Sequence, residues 1–204
     1  EGTPRAQVYE KLQAAAAEKP AVAAAAPAAP TGPVTFKLDG AASQGPTDAK
    51  VTLVDFSDFQ CGYCGRLAES IAEVMPEFAD KSVRFVSMQF PLGRFPHAQK
   101  ASEAALAANA QGKYWEFKKL IYANQRSLTD DSFEQFAAEL GLDMDRFRKE
   151  LADKTWAAAV TAQRAEGQKA GVSGTPTLFL NGQKIGGALP ADGLRSAINA
   201  ALAG

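Results

Sequence analysis

Hydrophobic positions follow a two-residue period, or form short unbroken runs, toward both ends of the regularly patterned chain. Residues 34–38 alternate between apolar and polar side chains, as in a strand with one exposed face. Residues 51–56 and 83–90 are apolar on both faces, which is typical of central strands. A helix over about residues 61–79 separates these two runs, so we predict a parallel pair joined by a right-handed crossover.

Between these strands and the last thirty residues, the pattern has the period of helices. We predict five helices, over about residues 96–110, 114–124, 129–140, 143–151 and 155–170. Strand patterns return at residues 177–180 and 184–187, where Asn181-Gly182 is a strong signal for a tight hairpin. A last helix is predicted over residues 191–202.

This order of elements predicts an α/β domain of residues 34–96 and 172–204, interrupted by a helical subdomain of residues 97–171. Residues 1–33 differ, because much of this segment is Ala and Pro and can bury little apolar surface. We interpret them as a weak helix followed by a semi-extended tether. The sequence has no leader pattern and no apolar run of 18 residues, and we expect its numbering to begin after processing of a longer product.

Composition excludes several classes of function. Hydrophobic residues make up 46% of the 204 residues, as in globular proteins. Lys and Arg number 22 against 23 Asp and Glu, so we expect no binding to nucleic acid or to an anionic membrane surface. With two Cys and one His, the chain cannot build a closed four-ligand zinc site from these residue types. We expect neither a metal nor a bound cofactor.

Both cysteines lie in Cys61-Gly62-Tyr63-Cys64, directly after a predicted buried strand and at the start of a helix. A bridge closing so short a loop stabilises a protein by only about 2 kcal/mol, so a structural staple is a poor explanation. The free amides of a helix N-terminus favour a thiolate at Cys61. Cys64, one turn further and more buried, can attack a mixed disulfide formed on Cys61. The pair therefore predicts a redox couple, with half of a zinc site and a passive surface disulfide as alternatives.

Residues 51–64, with this Cys-x-x-Cys pair, resemble the active-site strand and helix start of the thioredoxin superfamily. The helical insert and the motifs at Phe90-Pro91-Leu92, residues 141–143 and residues 174–177 narrow the resemblance to its DsbA-like branch. It extends from about residue 35 to residue 202. The resemblance implies an α/β thioredoxin fold with a helical insertion between its βαβ and ββα halves, and thiol–disulfide exchange as the activity.

The resemblance also implies roles for three further residues. Pro176 is expected to be cis and to lie against the cysteine pair, while Thr175 offers backbone hydrogen bonds to the substrate chain. Asp55 takes the position of a buried acid, six residues before Cys61. Burial would raise the pKa of this carboxyl, which could then accept a proton from Cys64. The alternatives are a proline that opens an edge strand and an acid that is merely hydrogen-bonded.

The local sequence pattern suggests roles for other residues near the cysteine pair. Gly62 and Tyr63 are expected to contact the substrate, with Phe59 adding to the same apolar rim. Asp58 is interpreted as a solvent-side or capping residue. Three further side chains are expected to be structural, in the first turn of a helix or in the core, namely His97, Trp115 and Trp156.

The direction of the redox reaction has two interpretations. Gly62-Tyr63 adds no positive charge between the cysteines, which predicts an oxidant milder than the strongest DsbA-type proteins. The same dipeptide, with Thr175 before the proline, is similar to the disulfide isomerase DsbC and to ScsC proteins. Those proteins oligomerise through an N-terminal extension, which is short here, so any oligomer would have to form through that segment. We favour a dithiol oxidase, with an isomerase or reductase as the alternative.

A function of another class is a copper-handling or chaperone module that uses both thiolates as soft ligands. The resemblance implies cysteine-containing protein substrates, a membrane redox partner of DsbB or DsbD type, and work in an oxidising compartment. We therefore expect a periplasmic or otherwise exported protein, either free or tethered to a membrane before processing.

Overall fold

The computed structural model describes residues 32–79 and 82–204. The expectations for the N-terminal helix, the Ala- and Pro-rich tether up to residue 31 and any oligomer formed through them lie outside the described residues. No helix among the described residues is long and apolar enough to cross a membrane.

The strands are short and the helices run from two to four turns. The strands are β1 (Ala42–Gln44), β2 (Val51–Ser57), β3 (Val83–Gln89), β4 (Thr177–Leu180) and β5 (Gln183–Gly186). The helices are α1 (Gly62–Val74), which continues as a 3-10 turn (Met75–Phe78), α2 (Ala98–Asn109), α3 (Tyr114–Ala123), α4 (Asp130–Glu139), α5 (Met144–Ala152), α6 (Ala157–Lys169) and α7 (Ala191–Ala203).

Five strands form one mixed sheet in the order β1-β3-β2-β4-β5. The central pair β2 and β3 is parallel, and every other neighbouring pair is antiparallel. Asn181 and Gly182 make the β4–β5 turn with positive φ angles of 47° and 78°, as a tight hairpin requires. Since α2 to α6 lie between β3 and β4, the predicted thioredoxin fold with a helical insertion is confirmed.

The two faces of the sheet bury different clusters. On one face, Val51 and Leu53 of β2 pack with α1 and α7. On the other face, Val54 and Phe56 pack with the chain that follows α6. Both faces of β2 are thus apolar, as predicted for residues 51–56, and Asp55 lies on the face of Val51 and Leu53, on the side of α1.

Residues 34–38 do not form the predicted strand. Their apolar side chains are half-buried, as the alternation indicated. Phe36 packs its ring 5.3 Å from that of Phe56 and 5.0 Å from that of Phe179, across the face of the sheet. A two-residue period reports an extended chain with one buried side, and it cannot distinguish pairing in a sheet from packing over one. The first strand of the sheet is instead β1.

The helical insert has a core of its own and is held close to the sheet. Its fully buried rings include Phe117, Phe133 and Phe147, with the partly buried Trp115 and Trp156 against the same cluster. A Cβ atom on Gly167 of α6 would lie 2.9 Å from ring atoms of Phe56 and Phe90. The absence of that atom lets α6 pack closely against these two rings on the face of the sheet.

Candidate active site

Cys61 is the last residue before α1, and a loop of three residues (58–60) separates it from the end of β2. It has an extended backbone, and its carbonyl accepts hydrogen bonds from the amides of Cys64 at 2.9 Å and Gly65 at 3.2 Å. The amides of Tyr63 and Cys64 also face its sulfur and favour the thiolate. Both cysteines are free thiols and nearly inaccessible, with exposed fractions of 4% for Cys61 and 1% for Cys64.

The two sulfurs have opposite tendencies to ionise. A hydrogen bond from the Cys64 thiol is the largest influence that lowers the pKa of Cys61, to about 5, with help from Thr175 and the helix amides. Burial raises the pKa of Cys64, and the same hydrogen bond and the charge of Asp55 raise it further. Cys61 is therefore the thiolate of the reduced pair, and Cys64 holds the proton that the thiolate shares.

Thr175 and Pro176 lie against this pair from the sheet side. Their peptide bond is cis in the structure, as the resemblance implies. The Cys61 sulfur lies 3.3 Å from the Thr175 carbonyl oxygen, to which it donates only in its protonated form. Thr177 donates its hydroxyl to the Gly174 carbonyl at 2.7 Å, which holds the loop in shape. The structure thus brings Thr175 and Pro176 to the sulfurs across more than one hundred residues of sequence.

Asp55 lies beneath the pair and is almost completely buried, with 1% of its surface exposed. Ser57 donates its hydroxyl to one carboxyl oxygen at 2.6 Å. The Lys118 ammonium lies 3.5 Å from the other oxygen. Burial raises the pKa of Asp55, and the positive charge of Lys118 opposes this rise. Asp55 is thus a carboxyl near Cys64 whose protonation depends on a lysine of the insert.

Sequence reasoning missed Lys118. Its side chain is 7% exposed, and its ammonium donates to the Ser87 hydroxyl at 2.9 Å, on the β3 residue that pairs with Asp55. A signal existed, because Lys118 falls on the buried stripe of α3 that includes Tyr114, Phe117 and Ile121. A cation inside an apolar stripe requires a buried anion.

Asp58 corrects another interpretation, because its exposed fraction is 0%. Its carboxyl oxygens accept backbone amides from Gln60 at 2.7 Å and from Leu92 at 2.6 Å. Capping of backbone groups was one expectation for Asp58, and the solvent-side alternative is wrong. Burial raises its pKa, while both hydrogen bonds oppose the rise. Asp58 ties the loop before Cys61 to the chain after β3, and its amide lies 3.5 Å from the Cys64 sulfur.

The insert holds the same loop from the other side. Gln125 donates its amide group to the Phe59 carbonyl at 2.7 Å and the Cys61 carbonyl at 2.8 Å. A Cβ atom on Gly65 would lie 3.2 Å from the Gln125 side-chain oxygen, so the glycine after the pair leaves room for this contact. No local pattern predicted this role, because Gln125 is a polar residue in a predicted loop.

The surface around the pair differs in part from expectation. Tyr63 is 59% exposed, Gly62 is exposed beside it, and the Arg66 guanidinium lies 4.2 Å from the Tyr63 ring. Phe59, expected on the same rim, is instead buried in the core of the insert, with its ring 5.3 Å from that of Tyr122. The rim is therefore formed by residues of α1 and not by Phe59.

His97 is the N-cap of α2. Its amide donates to the Gln60 side chain at 2.6 Å, and its ring nitrogen lies 3.1 Å from Asp130. Within residues 32–79 and 82–204, no group of three or more His, Cys, Asp or Glu side chains could hold a metal ion.

Comparison with known proteins agrees with this geometry. The family model described as Thioredoxin matches residues 37–200. Among solved structures, a thioredoxin-like oxidoreductase from Silicibacter pomeroyi is 26% identical, with a TM-score of 0.69 over 81% of this chain and 94% of that one. BdbD from Bacillus subtilis is 21% identical, with a TM-score of 0.74 over 82% of this chain and 96% of that one. This second similarity shows the fold alone.

A curated relative has a name of another kind. The Na(+)/H(+) antiporter NhaA 1 of Salinispora arenicola is 38% identical over 162 residues, which are 79% of this chain and 24% of that protein. The chain thus spans about a quarter of the length of the curated relative that it matches.

Proposed function

We propose that this chain, which belongs to the thioredoxin family, is a thiol–disulfide oxidoreductase and acts as a mild dithiol oxidase of exported client proteins. The observation that carries this proposal is the contrast between Cys61, whose pKa is lowered to about 5, and Cys64, whose pKa is raised. A stable thiolate in the reduced state makes the disulfide more oxidising, because reduction then yields a favoured product.

The oxidation occurs in two exchanges that conserve atoms and electrons. A client thiolate attacks Cys61 in the Cys61–Cys64 disulfide, which forms a mixed disulfide and releases Cys64 as a thiolate that takes up a proton. A second client thiolate then attacks the client sulfur of the mixed disulfide and releases Cys61. Two electrons pass from the client to the protein. Cys61 leaves easily because its conjugate thiol is acidic.

Asp55 supports the reverse exchange. When the Cys61 thiolate has attacked a client disulfide, Cys64 must lose its proton to attack Cys61 and release the client. The Asp55 carboxylate is the buried base on the sheet below Cys64, and its charge is among the influences on the Cys64 pKa. Thr175 and Pro176 are positioned to align the client backbone beside Cys61, and the exposed Gly62 and Tyr63 are positioned to contact it.

The mild potential follows from what surrounds Cys61. The largest influences that lower its pKa are hydrogen bonds from Cys64, Thr175 and helix amides, and none of these is a cationic side chain. A function as isomerase or reductase is the second candidate, supported by Gly62-Tyr63 and Thr175. We further propose that the protein is exported and exchanges electrons with a membrane redox partner of DsbB or DsbD type.

Refolding of ribonuclease separates the candidates. We expect the oxidised protein to accelerate refolding of reduced ribonuclease more than refolding of scrambled ribonuclease. With glutathione as reference, we expect a reduction potential between about −270 mV and about −120 mV, the values of thioredoxin and of the strongest DsbA oxidant. The Cys61→Ser variant is the matched control. Faster recovery from the scrambled form would instead establish an isomerase.

A further inference from the structure

A large groove runs beside the cysteine pair, between α1 and α3. We call it the side groove, and its volume is about 1410 Å³. Apolar residues form much of its lining, including Ile71, Met75, Phe85, Trp115 and Tyr122. Pockets for small ligands usually measure about 300–1,000 Å³, so this groove has room for a segment of polypeptide.

The side groove carries an excess of positive charge. Among its described lining residues, Arg66, Lys118, Lys119 and Arg126 are cations and Glu69 is the carboxylate. The Lys118 ammonium is neutralised by Asp55. Lys119 and Arg126 are exposed, and neither forms an ion pair with a described residue. These two charges are therefore free to meet carboxylates of an incoming chain.

The side groove is continuous with the redox site. Gly62 and Tyr63 form its end nearest the cysteines, and Gln125, which binds the Cys61 carbonyl, lies in its wall. Thr175 contacts Cys61 from the sheet side. A client bonded to Cys61 can therefore rest one flank on the Thr175 loop while the other flank crosses Tyr63 and enters the groove.

We propose that the side groove binds an extended segment of the client polypeptide whose apolar side chains are flanked by carboxylates. This proposal rests on the proposed function, because the occupant is the client whose cysteine reacts at Cys61. The apolar lining takes the client's apolar side chains, and Lys119 and Arg126 meet its carboxylates. The groove thereby selects clients with acidic and apolar residues near the reacting cysteine.

Two synthetic dithiol peptides test the proposal. Both carry two cysteines at one end and a Leu-Phe-Leu run, flanked by three Asp in one peptide and three Lys in the other. The rate at which the oxidised full chain oxidises each peptide gives a ratio of acidic to basic peptide. We expect the double variant Lys119→Glu/Arg126→Glu to lower this ratio by about tenfold, because opposite charges at an interface attract and like charges repel.

Two further measurements keep the result interpretable. Lys184→Glu, on exposed β5, makes the same kind of charge change away from the groove and is expected to leave the ratio within about twofold. For the wild-type chain, the ratio should fall as salt is added, since exposed charges are screened. Ala72→Trp, which narrows the groove, should slow both peptides relative to a dithiol peptide without the apolar run.

The outcomes distinguish this inference from the function on which it rests. An unchanged ratio in the double variant, or an Ala72→Trp variant that treats all peptides as the wild type does, overturns the groove proposal. A ratio that depends on protein concentration also overturns it, because the occupant would then be a second copy of the chain. Failure of the wild-type protein to oxidise either peptide contradicts the proposed function itself.

Discussion

Two regions of the molecule contribute different groups to one site. The first region is the sheet with its two flanking helices, and the second is the helical insert. The first region supplies every group that is proposed to exchange electrons or protons, namely Cys61, Cys64 and Asp55, and these lie within ten residues of one another. The insert supplies Lys118, Gln125 and a wall of the side groove. It contributes no sulfur, and yet its residues contact both the acid and the loop that holds the nucleophile.

The first region thus holds the reactive groups, and the insert adjusts the pKa values and the position of those groups. The reactive groups are close in sequence because the turn from a buried strand into a helix places an acid, two sulfurs and free amides together. Tuning needs low polarity and fixed charges around those groups, and a second packed body provides both. The insert can therefore change reactivity without taking part in sulfur exchange. Variants in each region should show effects of different size and kind.

The largest effect is expected in the first region, at the cysteines. Cys61→Ser should abolish turnover, because no nucleophile remains at the helix start. Cys64→Ser should accumulate mixed disulfides with clients, because the residue that releases them is lost. Mass spectrometry of the protein after incubation with a disulfide-bonded client, which the remaining thiolate can attack, measures both. Mixed disulfides on Cys64 in the Cys61→Ser variant would reverse the two roles.

An intermediate effect is expected where the two regions meet, at Asp55 and Lys118. Burial raises the pKa of Asp55 and Lys118 opposes the rise, so Lys118→Met should raise this pKa further. A carboxyl works as a base only above its pKa, so the rate at which Cys64 releases a bound client should begin to fall at a higher pH. We call the low-pH part of this rate profile, where the release rate falls as the pH falls, the acid limb. At a pH within the acid limb, the release rate of Lys118→Met should be roughly tenfold lower than that of the wild type. Stopped-flow resolution of a Cys61–glutathione mixed disulfide across pH measures it.

The controls isolate the charge from the packing. Methionine keeps the volume of the Lys118 side-chain stem. Thermal unfolding of the Lys118→Met variant should therefore remain cooperative. Asp55→Asn should remove the acid limb, and adding Lys118→Met to it should then change the limb no further. Lys149→Met, an exposed lysine paired with Asp153 in α5, serves as the matched substitution. If the release rate began to fall at the same pH in Lys118→Met and in the wild type, Lys118 would not act on Asp55.

The smallest effect is expected from the insert alone, at Gln125. Gln125→Ala removes two hydrogen bonds from the loop before α1 and should lower the free energy of unfolding by about 1–3 kcal/mol. The loosened loop should also raise the pKa of Cys61, measured by thiolate absorbance. Gln111 makes a similar pair of contacts with the Asp143 backbone inside the insert. Gln111→Ala should cost similar stability with no change in the Cys61 pKa, and a change there would contradict the local role of Gln125.

Much of the fold could be predicted because its signals are local. Asn181-Gly182 encodes its turn through allowed backbone angles, and the apolar run of residues 51–56 is the central strand that was predicted, with both faces buried. The same kind of signal was wrong for residues 34–38, where an extended chain packs over the sheet without pairing. The two-residue hydrophobic period shows only which side of the chain is buried. The residues that bury this side lie elsewhere in the sequence.

For the site, the sequence identifies the reactive residues, whereas the tertiary structure determines what surrounds them. By itself the sequence determined that the cysteines form one pair at a helix start, because adjacency along the chain fixes their geometry. Only the tertiary structure decided that Asp58 and Phe59 are buried, that Lys118 pairs with Asp55, and that Gln125 binds the loop. Desolvation and the distance between charges depend on what packs around a group. Residues remote in sequence set both, and no local pattern contains them.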